Sequence, residues 1–473
     1  MPNDTMKADH LPRWNAALAA LENGLLQRDV AARALLLAAL AGEHVLLLGP
    51  PGTAKSELAR RLKALLPGAR YFERLLTRFS VPEELFGPLS LRALEEDRYE
   101  RLVEGYLPAA EVAFLDEVFK ANSAILNTLL GLLHERQFDN GAQRIDVPLV
   151  CLVGASNETP QDESLHAFFD RFLLRIPVLP VDDDHFADLL CCDMSADAPQ
   201  TVAEDAALDT ALLQAVRSDA GAVTLGSETV ALLREARARA AEEHWVVSDR
   251  RWRQLAHLLQ VQAASRGATE TSVWDTWVLP FVLSQDAHQV NAWTEWFMTE
   301  VAALKPIETT GLERAAQAFE QQLDVEQRAP ADSQDDSAGK LALARAISGP
   351  GGSESELVRI TSDLAHKRYG DLHVRTRVLQ MADVINRAES VMALVEDTMD
   401  VTLGAMAAHY WLPSSWRERI EANHRARAAQ VRHLRDRLLV TQASFAGLPR
   451  LDESDPMAAV PPAAVAWGDD VAV

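Results

Sequence analysis

His44-Val45-Leu46-Leu47-Leu48 runs directly into Gly49-Pro50-Pro51-Gly52-Thr53-Ala54-Lys55-Ser56, and a helical pattern follows. The apolar run reads as a short strand buried on both faces. A glycine-rich turn between such a strand and a helix lets successive backbone N–H groups wrap a phosphate, and the helix N-terminus adds partial positive charge. Lys55 is then placed to reach the β- and γ-phosphates of a nucleotide, and the Ser56 hydroxyl to ligate Mg²⁺. Ala54 stands where the general pattern has its last glycine. Taken alone, that departure weakens the match.

Working outward, Val112-Ala113-Phe114-Leu115 is a second buried strand, and it ends in Asp116-Glu117. Two carboxylates at the carboxyl edge of a parallel sheet lie where such folds bind ligands. Asp116 is expected to hold the metal and Glu117 to orient or polarise an attacking water. A third strand, Leu149 to Val153, leads into Gly154-Ala155-Ser156-Asn157. The Asn157 amide can hold that water or touch the γ-phosphate without adding charge. Arginines occur at two helix ends, in Asp170-Arg171-Phe172 and in Ser248-Asp249-Arg250-Arg251-Trp252. A guanidinium aimed at a γ-phosphate stabilises the charge spread over its oxygens in the transition state. At a helix end the same residue is ordinarily a surface salt-bridge partner.

Strands alternating with helices beginning near Ala54, Ala121 and Gln161 predict a parallel sheet flanked by helices, the α/β class. From about residue 200 the strand signal fades. Ser227 to Glu242 and Asp249 to Ala264 carry helical spacing, which predicts an all-α domain after the sheet. With 473 residues and a formal net charge of -23, the chain is long enough for several domains and acidic overall. That balance argues against a protein whose affinity rests on neutralising nucleic-acid phosphates. Cys151, Cys191 and Cys192 have neither disulfide-framework nor zinc spacing and read as ordinary thiols. The start MPNDTMKADH lacks a basic segment followed by an apolar run, and no stretch reaches the length of a membrane span. A cytoplasmic location is expected.

Together these residues resemble an AAA+ ATPase, and more narrowly the MoxR family, in whose P-loop an alanine at the position of Ala54 is usual. Leu85-Phe86-Gly87-Pro88-Leu89 and Gly105-Tyr106-Leu107-Pro108 resemble the hairpin that this family inserts in its second helix, pointing into a ring's pore. Ile125 to Leu130 and Glu135-Arg136-Gln137-Phe138 resemble the helix after its acidic strand. Tyr99-Glu100-Arg101-Leu102 and Val247 to Trp252 are similar to the RavA subgroup, a likeness that returns faintly at Leu412 to Trp416. The small β-rich domain that RavA proteins carry is not visible in the acidic stretch from about Leu323 to Val374, so their decarboxylase partner is not carried over.

The resemblance implies ATP and Mg²⁺ as cofactors, with Gly49, Pro50, Pro51, Gly52, Thr53, Ala54, Lys55 and Ser56 around the phosphates. It implies Arg171 as a finger supplied to the neighbouring subunit, and Arg250 as a second sensor within its own subunit, with Arg251 as the alternative. A homo-hexameric ring, a partner with a von Willebrand factor A domain and a protein client follow from the family. The expected division is a nucleotide-binding core over residues 1–195 with the insert near 78–110, and an all-α lid over 196–290. A helical domain over 291–445, interrupted by an acidic linker near 323–352, and a flexible tail over 446–473 complete it. The function implied is ATP-driven, chaperone-like remodelling or activation of a protein complex or metal-dependent enzyme. The alternatives are a nucleic-acid motor of the MCM-like group and a low-turnover nucleotide-gated scaffold. Seven arginines between Arg417 and Arg437 read as a solvated face answering the acidic remainder, and Trp274, Trp277, Trp293 and Trp296 as core packing.

Overall fold

A computed structural model describes residues 11–160, 163–191, 206–329, 367–451 and 459–467. Its main sheet is parallel throughout and follows the order β2-β3-β6-β1-β7. The strands are β1 (Val45–Leu48), β2 (Tyr71–Leu75), β3 (Val112–Asp116), β6 (Cys151–Ser156) and β7 (Leu174–Pro177). A short antiparallel hairpin, β4 (Gln137–Asn140) with β5 (Gln143–Asp146), stands apart from it. The three strands legible in the sequence are the three central ones. They are buried on both faces, so apolar side chains occupy consecutive positions. The two edge strands carry Glu73, Arg74 and Arg175 and present no such run.

The sheet core joins Leu46, Ala113, Leu115 and Leu152 to Ile125, Leu129 and Phe168 from the flanking helices and to Phe172 from the connection before β7. Gly154 is what admits Phe172, since a Cβ there would lie 2.8 Å from the ring. The helix Ser123–Glu135 stops at Arg136, whose φ of 54° is left-handed. Gln137-Phe138, expected as part of that helix, instead opens β4. The Asn140-Gly141 turn, with Gly141 at φ +68°, favours a hairpin over continued helix. The expected insert is a folded-back segment. The helices Pro82–Phe86 and Leu91–Glu95 are followed by a return in which Leu89 and Arg101 pair antiparallel. The helix start expected at Gln161 lies outside the described residues, and the helix present there is Glu163–Phe169.

The chain divides into two compact units. One comprises Met1–Ala303 with Ala405–Arg419, the other Leu304–Gly404 with Ile420–Val473. In the first, the sheet is followed by the helices Ser227–Glu242, Asp249–Ser265 and Ala287–Glu300. Trp274, Trp277, Trp293 and Trp296 are buried here, and Trp277 Nε1 donates to Gln262 at 2.7 Å, so they pack the core. The second unit is built on the helix Thr310–Arg328 and on most of the helices Asp371–Ala407 and Ser414–Ala446. Buried Glu326 accepts from Arg377 at 2.8 Å and pairs with His373 at 3.0 Å.

The C-terminal arginines are largely answered by acids of the same unit: Arg432 by Glu396, Arg437 by Glu320 and Arg419 by Glu295. Residues 323–328 close the helix Thr310–Arg328. Residues 330–352 of the expected linker lie outside the described residues, as does Cys192. Within the expected tail, Val465 and Trp467 pack against the second unit's core, and the Ala463 carbonyl accepts from Arg377. Burial pushes the Cys151 thiol up to about 12, which leaves it an inert core group. Among the described residues no helix is long and apolar enough to cross a membrane.

Candidate functional site

The turn after β1 is shaped by close approach and by strain. Gly49 N–H still donates to the Ser156 carbonyl at 3.0 Å, extending the strand pairing. A Cβ on Gly49 would stand 2.0 Å from the Val178 carbonyl oxygen, so no larger residue fits. Gly52 has φ +82°, and Ala54 has φ 65° and ψ 25°. Ala54 is thus an alanine in left-handed backbone, directly before the helix Lys55–Ala64. Lys55 Nζ donates to the Gly49 and Pro50 carbonyls, both at 2.7 Å, and Thr53 Oγ1 donates to Pro50 at 3.0 Å. Burial draws the Lys55 ammonium below its usual range, while the charges of Asp116 and Glu117 hold it up.

Left-handed backbone costs an alanine about 1–2 kcal/mol, and glycine at such a site gives back about 0.4–1 kcal/mol through unfolded-state entropy. Ala54→Gly is therefore expected to raise unfolding stability by about 0.5 kcal/mol in denaturant titration. A loss above about 1 kcal/mol would show that the methyl makes contacts worth more than the strain.

Strand order brings the other groups to this turn. β6 lies between β3 and β1, in register with Leu115 opposite Gly154 and Leu48 opposite Ser156. The ends of three strands therefore deliver the turn, Asp116-Glu117 and Asn157 to one edge. They line a cavity of about 660 Å³ together with Pro51 to Ser56. Glu117 is itself left-handed, at φ 52°, and its N–H donates to Asp116 Oδ1 at 3.0 Å. Its carboxylate accepts from Asn157 Nδ2 at 2.7 Å and pairs with Lys120 Nζ at 3.2 Å. Gly49 and Pro50 do not line the cavity, but serve it by holding Lys55.

One family model, described as the MoxR domain in the MoxR-vWA-beta-propeller ternary systems, matches residues 12–218, and an AAA lid domain model matches residues 228–297. An uncharacterized protein of Methanocaldococcus jannaschii is 36% identical over 272 residues, covering 57% of this chain and 70% of that protein. This chain belongs to the MoxR family of AAA+ proteins. A second M. jannaschii protein is 51% identical over 156 residues, covering 33% of this chain and 42% of its own length. Protein MoxR of Paracoccus denitrificans is 30% identical over 184 residues, covering 37% of this chain and 52% of its own length. The match thus spans less than two thirds of either of these last two relatives. The crystal structure of an ATPase candidate from Cytophaga hutchinsonii shares the fold, with a TM-score of 0.50 at 16% identity, over 63% of this chain and 97% of that one.

For this MoxR-family chain, the donor set suits magnesium. Ser56 and Asp116 both line the cavity, offering one hydroxyl and one carboxylate. Mg²⁺ is held by few protein oxygens together with water and substrate phosphates rather than by a full protein cage. Among the described residues no cluster of three or more His, Cys, Asp or Glu could hold a metal alone.

Several lining groups carry no motif. Leu25, Leu26, Pro180, Val181 and Leu189 form an apolar wall suited to a flat ring. Arg28 also lines the cavity. Its guanidinium donates to the Thr53 carbonyl at 3.1 Å and to those of Gln27 and Leu179 at 2.8 Å, tying three segments together. Burial draws Arg28 below its usual range. The only sequence signal for it is its place beside Asp29, at the start of the helix Asp29–Ala41.

Arg171, Arg250 and Arg251 do not line the cavity. Arg171 follows the end of the helix Glu163–Phe169, and Arg250 sits in the first turn of Asp249–Ser265. The two lie close enough that, after burial, the charge of Arg250 lowers the Arg171 pKa; burial first and then both guanidinium charges lower that of His134. Arg250 Nη2 is 3.4 Å from His134 Nδ1. Arg250, expected to read phosphate within its own subunit, lies here beside Arg171 and His134 rather than on the cavity lining. Arg251, the alternative, is buried and fully occupied by carbonyl groups and by Asp170.

Proposed function

We propose that this chain is an ATP-hydrolysing ring subunit, acting as a chaperone-like remodeller or activator of a protein complex or metal-dependent enzyme. The observation that carries the reading is the convergence of Lys55, Ser56, Asp116, Glu117 and Asn157 on one cavity behind a phosphate-wrapping turn. Lys55 takes the β- and γ-phosphates, Glu117 orients and deprotonates the attacking water, and Asn157 holds the Glu117 carboxylate in place. Ser56 and Asp116 would hold Mg²⁺, which supplies charge neutralisation at the phosphate oxygens. Arg171 and Arg250 act together on the neighbouring subunit's γ-phosphate, in keeping with their absence from the lining of their own cavity. Head-to-tail interfaces of that kind close into rings, and a hexamer is the state we assign.

The description of the matched family supports a partner bearing a von Willebrand factor A domain. The protein client is engaged through the insert near residues 78–110. We read residues 1–195 as core, 196–290 as lid, 291–445 as a helical domain and 446–473 as a tail, working in the cytoplasm. Tyr99 to Leu102 and Val247 to Trp252 support a likeness to the RavA subgroup in the motifs, without its decarboxylase partner.

The direct test is turnover of the full chain with ATP and Mg²⁺. We expect a rate per subunit that rises with protein concentration as rings form, and that is insensitive to added nucleic acid. Stimulation by DNA or RNA with a steep salt dependence would put the nucleic-acid motor first. Tight binding without turnover would favour the gated scaffold.

A further inference from the structure

Arg251 lies in the first turn of the helix Asp249–Ser265, one residue from Arg250, and its side chain is only 5% exposed. Its guanidinium fork points back at the sheet. Nη1 donates to Asp170 Oδ1 at 2.8 Å, and Nη2 donates to the Phe172 carbonyl at 3.0 Å and the Leu173 carbonyl at 2.9 Å. Nε donates to the Val282 carbonyl at 2.5 Å. The fork therefore grips the chain on both sides of Arg171 without touching Arg171 itself. Asp170 is shared with Arg175, whose Nη2 is 3.3 Å from the same carboxylate oxygen. Arg175 also donates to the Phe169 and Ser284 carbonyls and lies over the Phe169 ring. Two buried guanidiniums on one carboxylate is a costly arrangement, tolerated where every donor is satisfied and the geometry is fixed.

We infer that Arg251 is a positioning residue that clamps the Arg171 segment to the first turn carrying Arg250, so that both arginines present to the neighbouring subunit as one rigid pair. This rests on the reading in which Arg171 acts on the neighbour's nucleotide. The planar fork is essential to the clamp, because three carbonyls and a carboxylate must be met at fixed angles. Lysine keeps the charge but has no such fork. Arg251 thus serves the interface its subunit offers to a neighbour, not the cavity in which its own subunit binds ATP.

That asymmetry is testable by mixing full-length subunits. Lys55→Ala subunits, which keep their arginines, are mixed with Arg171→Ala subunits, which keep their nucleotide site, and ATP turnover is read. The mixture should recover activity that neither variant has alone. Adding Arg251→Lys to the Lys55→Ala partner should abolish at least about nine tenths of that recovery, whereas adding it to the Arg171→Ala partner should change it by less than about twofold. Equal loss in both placements would mean that Arg251 only maintains the fold, and no loss in either would mean that it does nothing for the pair. Both results overturn the inference while leaving the trans reading intact. Absence of recovery in the parent mixture would instead overturn the trans reading, and this inference with it. Should Arg251→Lys fail to fold, Asp170→Asn placed in the same two partners asks the same question and is read by the same asymmetry.

Discussion

Arg171→Ala is expected to lower ATP turnover by about 10³–10⁵-fold, or about 4–7 kcal/mol of transition-state stabilisation, with nucleotide affinity changed only a few-fold. The size follows from what a guanidinium does at a γ-phosphate. Charge develops on the equatorial oxygens as the phosphoryl group transfers, and a fixed cation in a site shielded from water is worth far more than one in solvent. The split between turnover and affinity follows from position. Arg171 lies outside the cavity lined by its own subunit's P-loop, so removing it leaves Lys55, Ser56 and the apolar wall to bind nucleotide as before. A loss confined to affinity would place Arg171 in ground-state binding instead.

Mixing separates a trans role from a structural one. In random rings of equal Arg171→Ala and Lys55→Ala subunits, roughly one interface in four joins an intact nucleotide site to an intact arginine. Turnover should recover to about that fraction of wild type, from two variants that are each inactive. Were Arg171 to act within its own subunit, no interface could combine the two halves. Arg250→Ala should behave as Arg171→Ala does in the same mixtures, because the two share one face with His134. If Arg250→Ala were instead rescued as Lys55→Ala is, it would belong to its own subunit's site.

The parts of this site that were legible in the sequence are those written in consecutive residues. Gly49 to Ser56, Asp116-Glu117 and Asn157 each follow a strand buried on both faces, and such strands announce themselves as apolar runs. Edge strands β2 and β7 did not, because Glu73 and Arg74 interrupt the first and buried Arg175 interrupts the second, leaving no continuous apolar run. Ala54 looked like a defect as a letter. In space it is an alanine held at a glycine's dihedral angles, a strain that sequence does not display. Arg28 was invisible because its partners are carbonyl oxygens, which every residue has. The direction of Arg250 is hidden for a related reason: whether a helix-end arginine points at its own cavity or away depends on how the lid packs on the sheet. Arg251 sets that packing through contacts some eighty positions away in the chain.

Glu117→Gln carries the other large expected effect, a loss of about 10²–10⁴ in turnover with ATP binding retained. The substitution is nearly isosteric, so it isolates the base. A glutamine oxygen can still accept from Asn157 Nδ2, now at 2.7 Å from the carboxylate, and the backbone N–H can still donate to Asp116. What disappears is the capacity to take a proton from water and the charge that holds Lys120 Nζ at 3.2 Å. The left-handed backbone at residue 117 tolerates either side chain equally, so strain does not confound the comparison. Because Asn157 acts through Glu117 in this reading, Asn157→Ala should cost turnover in the wild-type chain and cost little more once Glu117 is already glutamine. Full additivity of the two would mean that Asn157 meets water or phosphate independently. Turnover of Glu117→Gln close to wild type would remove the water-activating role from this residue altogether. With the loss present, the variant should stay bound to ATP, and if the remodelling role proposed above holds, a client and a partner with a von Willebrand factor A domain should copurify with it only in ATP.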